Sequence, residues 1–433
     1  MRDGFDYRGI VFLDFPSKSH RPAREIQYNC DPGEMRILKV VQSYFPFQDQ
    51  GGPVFKVRAL AHGLAQRGHD ITVLTADLGL SNPAYSRVPF KRCEWGYSVE
   101  EDGVKAVYLR AIAHYRALTV NPSVIGFCRK SLRHFDVVHF YGLYDLLGPS
   151  VSYLCRRYGV PYVIEPMGMF RPIDRSLQLK RMWHHSLGHA FWKHAAQIIT
   201  TSELEHEELL ADGVPSEKLV IRYNGIDLKV ASSLPLRGKF RSKWGIQAEE
   251  PVILFLGRII PRKGADILIE AFARACPGSG RLVIAGPEGE PGYLQELTRK
   301  AATAGIPSRV VFTGPLYDDA KAEVLADSDI FVLASRYENF ANSAADAVAC
   351  GIPVIITANC GISSLVEGRA GLVIARSSET LAAAIARLIS DRTLYRELQE
   401  GCRFVTAQLG WDHLSAQMEG YYAIAMASNN GNN

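Results

Sequence analysis

The sequence predicts an α/β chain built from two doubly wound parallel-sheet domains, and three observations carry that prediction. Short apolar runs of strand length alternate with helical stretches from residue 35 to about residue 425, the pattern of a parallel sheet covered by helices on both faces. The alternation lapses over the charged stretch 227–250 and restarts at Val252. A length of 433 residues is more than one ordinary core holds, which favours two domains.

Taken in order, residues 1–34 are polar, punctuated by Pro16, Pro22 and Pro32, and read as an N-terminal extension. A first strand is predicted over 35–41, a helix over 54–67 closed by Gly68, and a second strand over 71–75. Apolar runs recur at 104–109, 137–140, 162–165 and 198–200, which makes 35–226 one domain. Residues 227–250 are charged and loop-like, the natural hinge. Strands at 252–256, 281–285, 310–313, 330–333 and 354–356 build a second domain, 227–408. A last helix near 414–426, after Trp411-Asp412, falls in the segment 409–433, which ends in a polar tail.

Composition sets the class. Apolar content of 47% with 10% aromatics is globular, and no run approaches the roughly 18 apolar residues of a membrane span. Charges occupy the N-terminal stretch where a secretory signal needs apolar residues, and the eight cysteines show no metal-binding spacing. Reduced thiols in a cytoplasmic protein follow. A net charge of +4 without a nucleic-acid-binding motif argues against a nucleic-acid partner.

Two loops carry the candidate chemistry. After the strand at 330–333 comes Ser335-Arg-Tyr-Glu-Asn-Phe-Ala-Asn-Ser343, and an Ala-rich helix starts near Asn342, a good N-cap residue. Gly351 sits where a helix takes its left-handed C-terminal residue. A helix N-terminus at the carboxyl end of a parallel strand gathers free N–H groups and the positive dipole end, so Phe340, Ala341, Asn342 and Ser343 are candidate anion ligands. Glu338 in the loop and Asp346 one turn into the helix add carboxylates, which repel phosphate but grip hydroxyls. Phosphate together with hydroxyls points to a nucleotide sugar. The competing account is that acids near a helix start are favourable in any doubly wound fold.

The second loop follows the strand at 252–256. Gly257-Arg258 turns the chain, and Pro261-Arg-Lys-Gly264 opens an amphipathic helix with Ile267, Leu268, Ala271 and Phe272 on its apolar face. Arg258 and Lys263 thus flank a helix start. A guanidinium fork and an ammonium point charge together suit a diphosphate without a metal, and an ordinary solvated loop is the alternative.

These segments resemble the GT-B-fold retaining glycosyltransferases of family 4. The matching residues are Gly257-Arg258, Lys263-Gly264, Glu338 with Asp346 (the family's E-x7-E element) and Gly351-Ile-Pro-Val354. Gly51-Gly52-Pro53 is similar to the family's Gly-Gly loop. The stretch Pro161-Tyr-Val-Ile-Glu-Pro-Met-Gly-Met-Phe170 resembles an element of its polysaccharide-building members, and Asn224-Gly-Ile-Asp227 the motif that closes its first domain. The resemblance spans about residues 35 to 425.

The resemblance implies two Rossmann-like domains facing each other across a cleft, a nucleotide sugar in the second and the acceptor in the first. It implies transfer of a hexose to a glycan or lipid-linked acceptor with retention at the anomeric carbon, without metal or cofactor. Glu338, Arg258 and Lys263 become catalytic candidates. Gly51, Gly52, Phe340, Ala341, Asn342, Ser343 and Asp346 become donor-binding candidates, with His139, Tyr141 and Met167 as sugar or acceptor contacts. Two residues depart from the pattern: Asp346 stands where the family has Glu, and Tyr141 where it has a second His. They keep open an alternative, a weak or inactive nucleotide-sugar-binding partner of a glycosyltransferase complex. A phosphorylase would need a longer chain, and a glycogen-synthase-like enzyme a Lys-Thr-Gly-Gly start where this chain has Asp49-Gln-Gly-Gly52.

Charge is unevenly divided. Residues 36–227 hold 23 Lys/Arg against 18 Asp/Glu, and 228–433 hold 21 of each, so the excess lies in the first domain. Basic and aromatic residues interleave at Phe170-Arg171, Lys180-Arg-Met-Trp-His-His185 and Phe191-Trp-Lys193, with further clusters at Arg129-Lys130, Arg133 and Arg156-Arg157. Such a face fits an anionic surface at the inner side of a membrane, or an ordinary solvated exterior.

Overall fold

The computed structural model describes residues 33–47, 52–80, 88–115, 118–171, 182–183 and 188–430. Its strands, in chain order, are β1 (Arg36–Val41), β2 (Asp70–Ala76), β3 (Lys91–Cys93), β4 (Gly96–Glu101), β5 (Val104–Leu109), β6 (Ala113–Tyr115), β7 (Leu118–Val120), β8 (Val137–Tyr141), β9 (Tyr162–Glu165), β10 (Gln197–Thr200) and β11 (Leu219–Ile221) in the first half. The second half holds β12 (Val252–Leu256), β13 (Arg281–Ala285), β14 (Val310–Gly314), β15 (Ile330–Leu333), β16 (Val354–Thr357) and β17 (Gly371–Ile374). The helices that bear on the site are α1 (Gly52–Gln66), α2 (Ser123–Ser131), α3 (Leu147–Tyr158), α4 (Glu203–Ala211), α5 (Ala265–Ala275), α6 (Asp318–Asp327), α7 (Asn342–Ala349) and α8 (Trp411–Asn430).

Two Rossmann-like sheets result. The first runs β11-β10-β9-β8-β1-β2-β5-β4-β3 and is parallel apart from the antiparallel edge strands β3 and β4. The second runs β14-β13-β12-β15-β16-β17 and is parallel throughout. In each, strand order reverses beside the first strand, between β1 and β8 and between β12 and β15. Open sheets of this kind bind ligands at that reversal, outside the carboxyl ends of the strands.

Near-continuous apolar strands are buried on both faces because helices cover both. On one face of the first sheet Leu38, Val40, Val138 and Phe140 pack with Val124, Phe127, Val151 and Leu154 of α2 and α3. On the other, Ile37, Val41, Val137 and Tyr141 meet α1 and α8 through Val57, Leu60, Met418 and Tyr422. Helix α8, the last in sequence, therefore lies on the first sheet. Gly63 permits its close approach to α1: a Cβ there would sit 2.3 Å from the Ser415 hydroxyl.

The stretch 227–250 departs from the loop-like expectation. It contains the short helices Leu228–Ser232 and Lys239–Trp244. Arg241 in the second is buried and binds the carbonyls of Gln247 and Glu250 and the Asp329 carboxylate at 2.9 Å, so it docks on the second domain. Charge in the sequence read as solvation here, whereas it is spent on satisfying buried carbonyls. The crossings between domains are narrower. Ile226 donates its N–H to the Leu409 carbonyl at 2.9 Å and pairs with Gly410, and the Trp411 ring covers Gly225, where a Cβ would lie 2.4 Å from the indole.

Candidate active site

The reversal between β12 and β15 collects the second domain's candidates. Strand β12 delivers Gly257 at φ 151°, and Gly286 crosses its carbonyl so closely that a Cβ would lie 1.9 Å away. Side chains are excluded there, and Arg258 projects beyond the crossing, its stem over Gly289. Arg258 is exposed and, among the described residues, has no ion-pair partner.

Lys263 ends the short turn Pro261–Lys263, and Gly264 at φ 74° starts α5. A Cβ on Gly264 would meet the Ala334 carbonyl at 2.2 Å, so glycine lets this turn press against the end of β15. That contact brings Lys263 Nζ to 2.9 Å from Glu338 Oε1, with both side chains only 14% exposed. The Ser335 hydroxyl donates to the same Oε1 at 3.0 Å. The Glu338 backbone is stitched to 359–361: its N–H donates to the Asn359 carbonyl and its carbonyl accepts from Gly361 N–H, each at 2.9 Å. Arg376, which the sequence reading missed, donates through Nε to the Ala334 carbonyl at 2.9 Å and adds another cation.

Helix α7 begins as expected at Asn342, but Asn342 is not its cap. Ala341 holds that place at φ 76°, ψ 61°, with no side-chain cap bond. An L-residue in this region costs about 1–2 kcal/mol, strain of the kind found at functional sites. The N–H groups of Asn342 and Ser343 have no protein acceptor among the described residues. They stand at a helix start four residues after Glu338, the kind of terminus that cradles an anion. Asn342 instead accepts from Asn224 of the first domain at 3.1 Å. Gly351 takes the left-handed position after the helix, at φ 74°. Asp346 lies on the α7 flank, 2.7 Å from Lys321 Nζ of α6, each 30% exposed.

The first domain's candidates divide. Gly51 lies outside the described residues, and Gly52 is the first residue of α1. Met167, at φ 54°, shares a tight turn with Gly168 at φ 76°, directly after β9. His139 and Tyr141, expected as sugar or acceptor contacts, lie in the interior of the first domain. Both are buried, their rings stack at 4.0 Å, and they face α8. His139 Nδ1 shares a 2.7 Å hydrogen bond with the Tyr422 hydroxyl, and the Tyr141 hydroxyl accepts from Lys39 Nζ at 2.8 Å. The two-residue period of β8 puts positions 137, 139 and 141 on the α1/α8 face, so side-chain alternation decides their fate.

They belong to a buried charged cluster that the sequence reading missed. Glu165 sits at its centre, fully buried, with Arg222 Nη2 at 2.6 Å, Lys56 Nζ in contact and His139 Nε2 at 3.6 Å. Burial pushes the Glu165 carboxyl up, but Arg222 and Lys56 outweigh it and hold it well below the usual range. Burial drags Lys56 down to about 8 against the pull of Glu165, and His139 down to about 3. Lys56 also binds Asn224, which links this cluster to Asn342 at the α7 start. A lysine inside the apolar run of β1 was the available signal, since a charge on a buried strand needs partners.

Among the described residues no group of three or more His, Cys, Asp or Glu is placed to hold a metal, and no helix is long and apolar enough to cross a membrane.

Residues 237–403 match the family described as Glycosyl transferases group 1, and residues 51–225 match the Glycosyl transferase 4-like domain. An uncharacterized glycosyltransferase of Methanocaldococcus jannaschii is 26% identical over 90% of this chain and 99% of its own length. A D-inositol 3-phosphate glycosyltransferase of Xylanimonas cellulosilytica is 26% identical over 87% of this chain and 92% of its own. The solved structure of Anabaena HepE in complex with UDP superposes with a TM-score of 0.70 at 20% identity, over 89% of this chain and 98% of that one.

Proposed function

The chain belongs to the group 1 glycosyltransferases of GT-B fold, and from that membership we propose that it moves a hexose from a nucleoside diphosphate to a lipid-linked or polysaccharide acceptor with retention of configuration. It is a glycosyltransferase that uses a nucleotide sugar. The finer reading rests on one observation above the others: Lys263, from the loop after β12, meets Glu338, from the loop after β15 that leads into α7, at the strand-order reversal of the second sheet.

In this reading the diphosphate lies on the α7 N-terminus between Arg258 and Lys263. The bond from C1 to the leaving phosphate oxygen breaks and its electron pair stays on that oxygen. Charge grows where the two cations and the Asn342 and Ser343 N–H groups already stand, the preorganised stabilisation that lowers barriers most. The acceptor oxygen attacks C1 from the same face and its proton passes to the leaving phosphate. Glu338 holds donor-sugar hydroxyls. Its partner is Lys263 at 2.9 Å, so a diphosphate that competes for Lys263 releases the carboxylate for the sugar. The cations make a resident metal unnecessary for this step.

For the acceptor, the support is the exposed basic face of α2 and α3. Arg129, Lys130, Arg133, Arg156 and Arg157 are exposed on and beside these helices, with the Arg156 guanidinium 5.7 Å from the ring of the exposed Tyr153 and the Arg133 guanidinium 4.4 Å from the Tyr158 ring. Each such cation contributes about 1 kcal/mol near an anionic leaflet, which would bring the enzyme to a lipid-borne substrate as a peripheral protein. Lys180, Arg181, His184 and His185 of the neighbouring basic run lie outside the described residues.

A thermal-shift panel with UDP-, GDP-, ADP- and dTDP-sugars, followed by donor hydrolysis on the ligand that stabilises most, tests the function. A matching donor at a hundredfold excess over its Kd adds about 2.7 kcal/mol. Stabilisation without any turnover would favour the inactive binding partner instead.

A further inference from the structure

Asn339, between Glu338 and Phe340, is the residue through which the Glu338 loop meets the first domain. Its side-chain Nδ2 donates to the Thr201 hydroxyl at 2.7 Å, and its carbonyl accepts from the Ser202 hydroxyl at 3.0 Å. The Thr201 hydroxyl passes the contact on, donating to Glu205 Oε2 at 2.9 Å. Glu205 is buried, and its other oxygen accepts from the Gly168 N–H at 2.6 Å. The chain of bonds therefore ends in the strained Met167-Gly168 turn at the mouth of the first domain.

The surfaces are cut to fit this side chain. A Cβ on Gly168 would lie 2.8 Å from Asn339 Cγ, and one on Gly361 would lie 2.0 Å from the Asn339 carbonyl and 2.7 Å from the Ser202 hydroxyl. Gly168 on the first domain leaves room for the Asn339 amide, and Gly361 on the second leaves room for its backbone carbonyl beside Ser202. On either side Tyr337 binds Glu208 of α4 at 3.1 Å, and Phe340 packs on Tyr223 with ring centroids 6.3 Å apart.

We propose that Asn339 is a positioning residue: its bond to Thr201 registers the Glu338 loop against the Met167–Phe170 turn, so that closure of the two domains is what aims the Glu338 carboxylate. The proposal rests on Glu338 serving the transferred sugar. It assigns to Thr201 and Glu205 the task of presenting one oriented hydroxyl to the amide. A hydroxyl that donates to a buried carboxylate has its lone pair left for an incoming donor, which is what an amide N–H requires.

The test uses the full chain in the variants Asn339→Ala, Thr201→Val, Thr201→Ser and the double Asn339→Ala/Thr201→Val. Steady-state hydrolysis of the stabilising nucleotide sugar is combined with hydrogen exchange of segments 335–343 and 166–170. Misaiming a group by about 1 Å costs on the order of a hundredfold, so kcat should fall tenfold to a hundredfold in the first two while KM stays within about twofold and affinity for the matching nucleoside diphosphate is unchanged. Thr201→Ser should restore kcat, and the double variant should be no slower than the slower single. Exchange in both segments should rise together for Asn339→Ala and Thr201→Val alone. Additive losses, a KM effect without a kcat effect, or unchanged kcat in Asn339→Ala would overturn the proposal. A wild-type chain silent on all four nucleotide sugars refutes the function reading instead. The exchange data then decide whether the two segments are joined through Asn339, and independent exchange would end the claim.

Discussion

Replacing Glu165 by Gln keeps the shape of the buried cluster and removes its central negative charge. Three cationic or basic groups face that carboxylate: Arg222 at 2.6 Å, Lys56 in contact and His139 at 3.6 Å. His139, pulled down to about 3, is already neutral at pH 7. Lys56 has an exit as well. Its ammonium is pulled down to about 8 even with Glu165 present, so shedding the proton at pH 7 costs at most about 1.4 kcal/mol. Arg222 has none, because a guanidinium does not deprotonate in proteins. It is fully buried, and leaving one member of such a pair unpartnered costs about 3–5 kcal/mol. For a domain of this size each kcal/mol lowers Tm by about 2–4 °C, which gives a drop of about 6–20 °C. Calorimetric melting of wild type, Glu165→Gln and Glu165→Gln/Arg222→Met at pH 7 measures it. The double variant swaps the pair for apolar volume and should recover most of the loss. A single variant within about 2 °C of wild type, or a double variant as unstable as the single, would refute the assignment of the penalty to Arg222.

Acid should attack the same cluster. Glu165 is held below its ordinary 4.5 and His139 below its ordinary 6.5, so for both groups the unfolded chain takes up protons first. The stability they supply is complete above about pH 6.5 and is lost as pH falls, first through His139 and then through Glu165; a melt that rose on acidification would contradict this. Arg258→Ala and Lys263→Ala should each weaken binding of the matching nucleoside diphosphate in calorimetry and lower turnover about a hundredfold, and near-normal rates in both would move the diphosphate elsewhere. Asp346→Ala should weaken that nucleotide by about 1–3 kcal/mol if the carboxylate reaches the ribose, whereas Lys321→Ala should not. Equal nucleotide affinity in wild type and Asp346→Ala would leave Asp346 as the ion-pair partner of Lys321 only.

Most of the strand frame was legible because parallel strands buried on both faces are runs of apolar residues, and β1, β8, β12, β13 and β15 each fall within a residue or two of the expected bounds. Strands β3, β4, β6, β7, β11 and β17 were missed. β3 and β4 are polar, β6, β7 and β11 are three residues long and β17 is a four-residue edge strand, so none carries a long enough apolar signal to stand out. Within the site, glycine and charge marked Lys263, Glu338 and the α7 start correctly as neighbours, because the strand order that joins β12 to β15 is common to doubly wound sheets. What sequence could not supply was pairing. Lys56, Arg222 and Glu165 are far apart in the chain and look like ordinary surface charges. Ser202-Glu203-Leu204-Glu205 reads as a capping box, and Ser202 does cap α4 by accepting from the Glu205 N–H at 3.1 Å. The Glu205 carboxylate instead turns away to Thr201 and Gly168. The Asn342 misassignment has a similar origin: composition favoured Asn as a cap, but the loop closes through Ala341 in a conformation that no propensity predicts.

The return of α8 to the first sheet has a consequence for how the molecule is made. Met418, Tyr422 and Ala425 complete a core whose other half is supplied by β1, β8 and α1. On the ribosome, β11 closes the first sheet about two hundred residues before those side chains exist. At about 5–20 residues per second this face waits about 10–40 s with its apolar surface and the Lys39 ammonium uncovered. The second domain, whose strands lie together in sequence between β12 and β17, can finish during that interval. The half made first is thus the one that must wait for the last helix to close its core. A stop codon near residue 410 would leave the second sheet able to form and this apolar face of the first without its cover, so such truncations should aggregate.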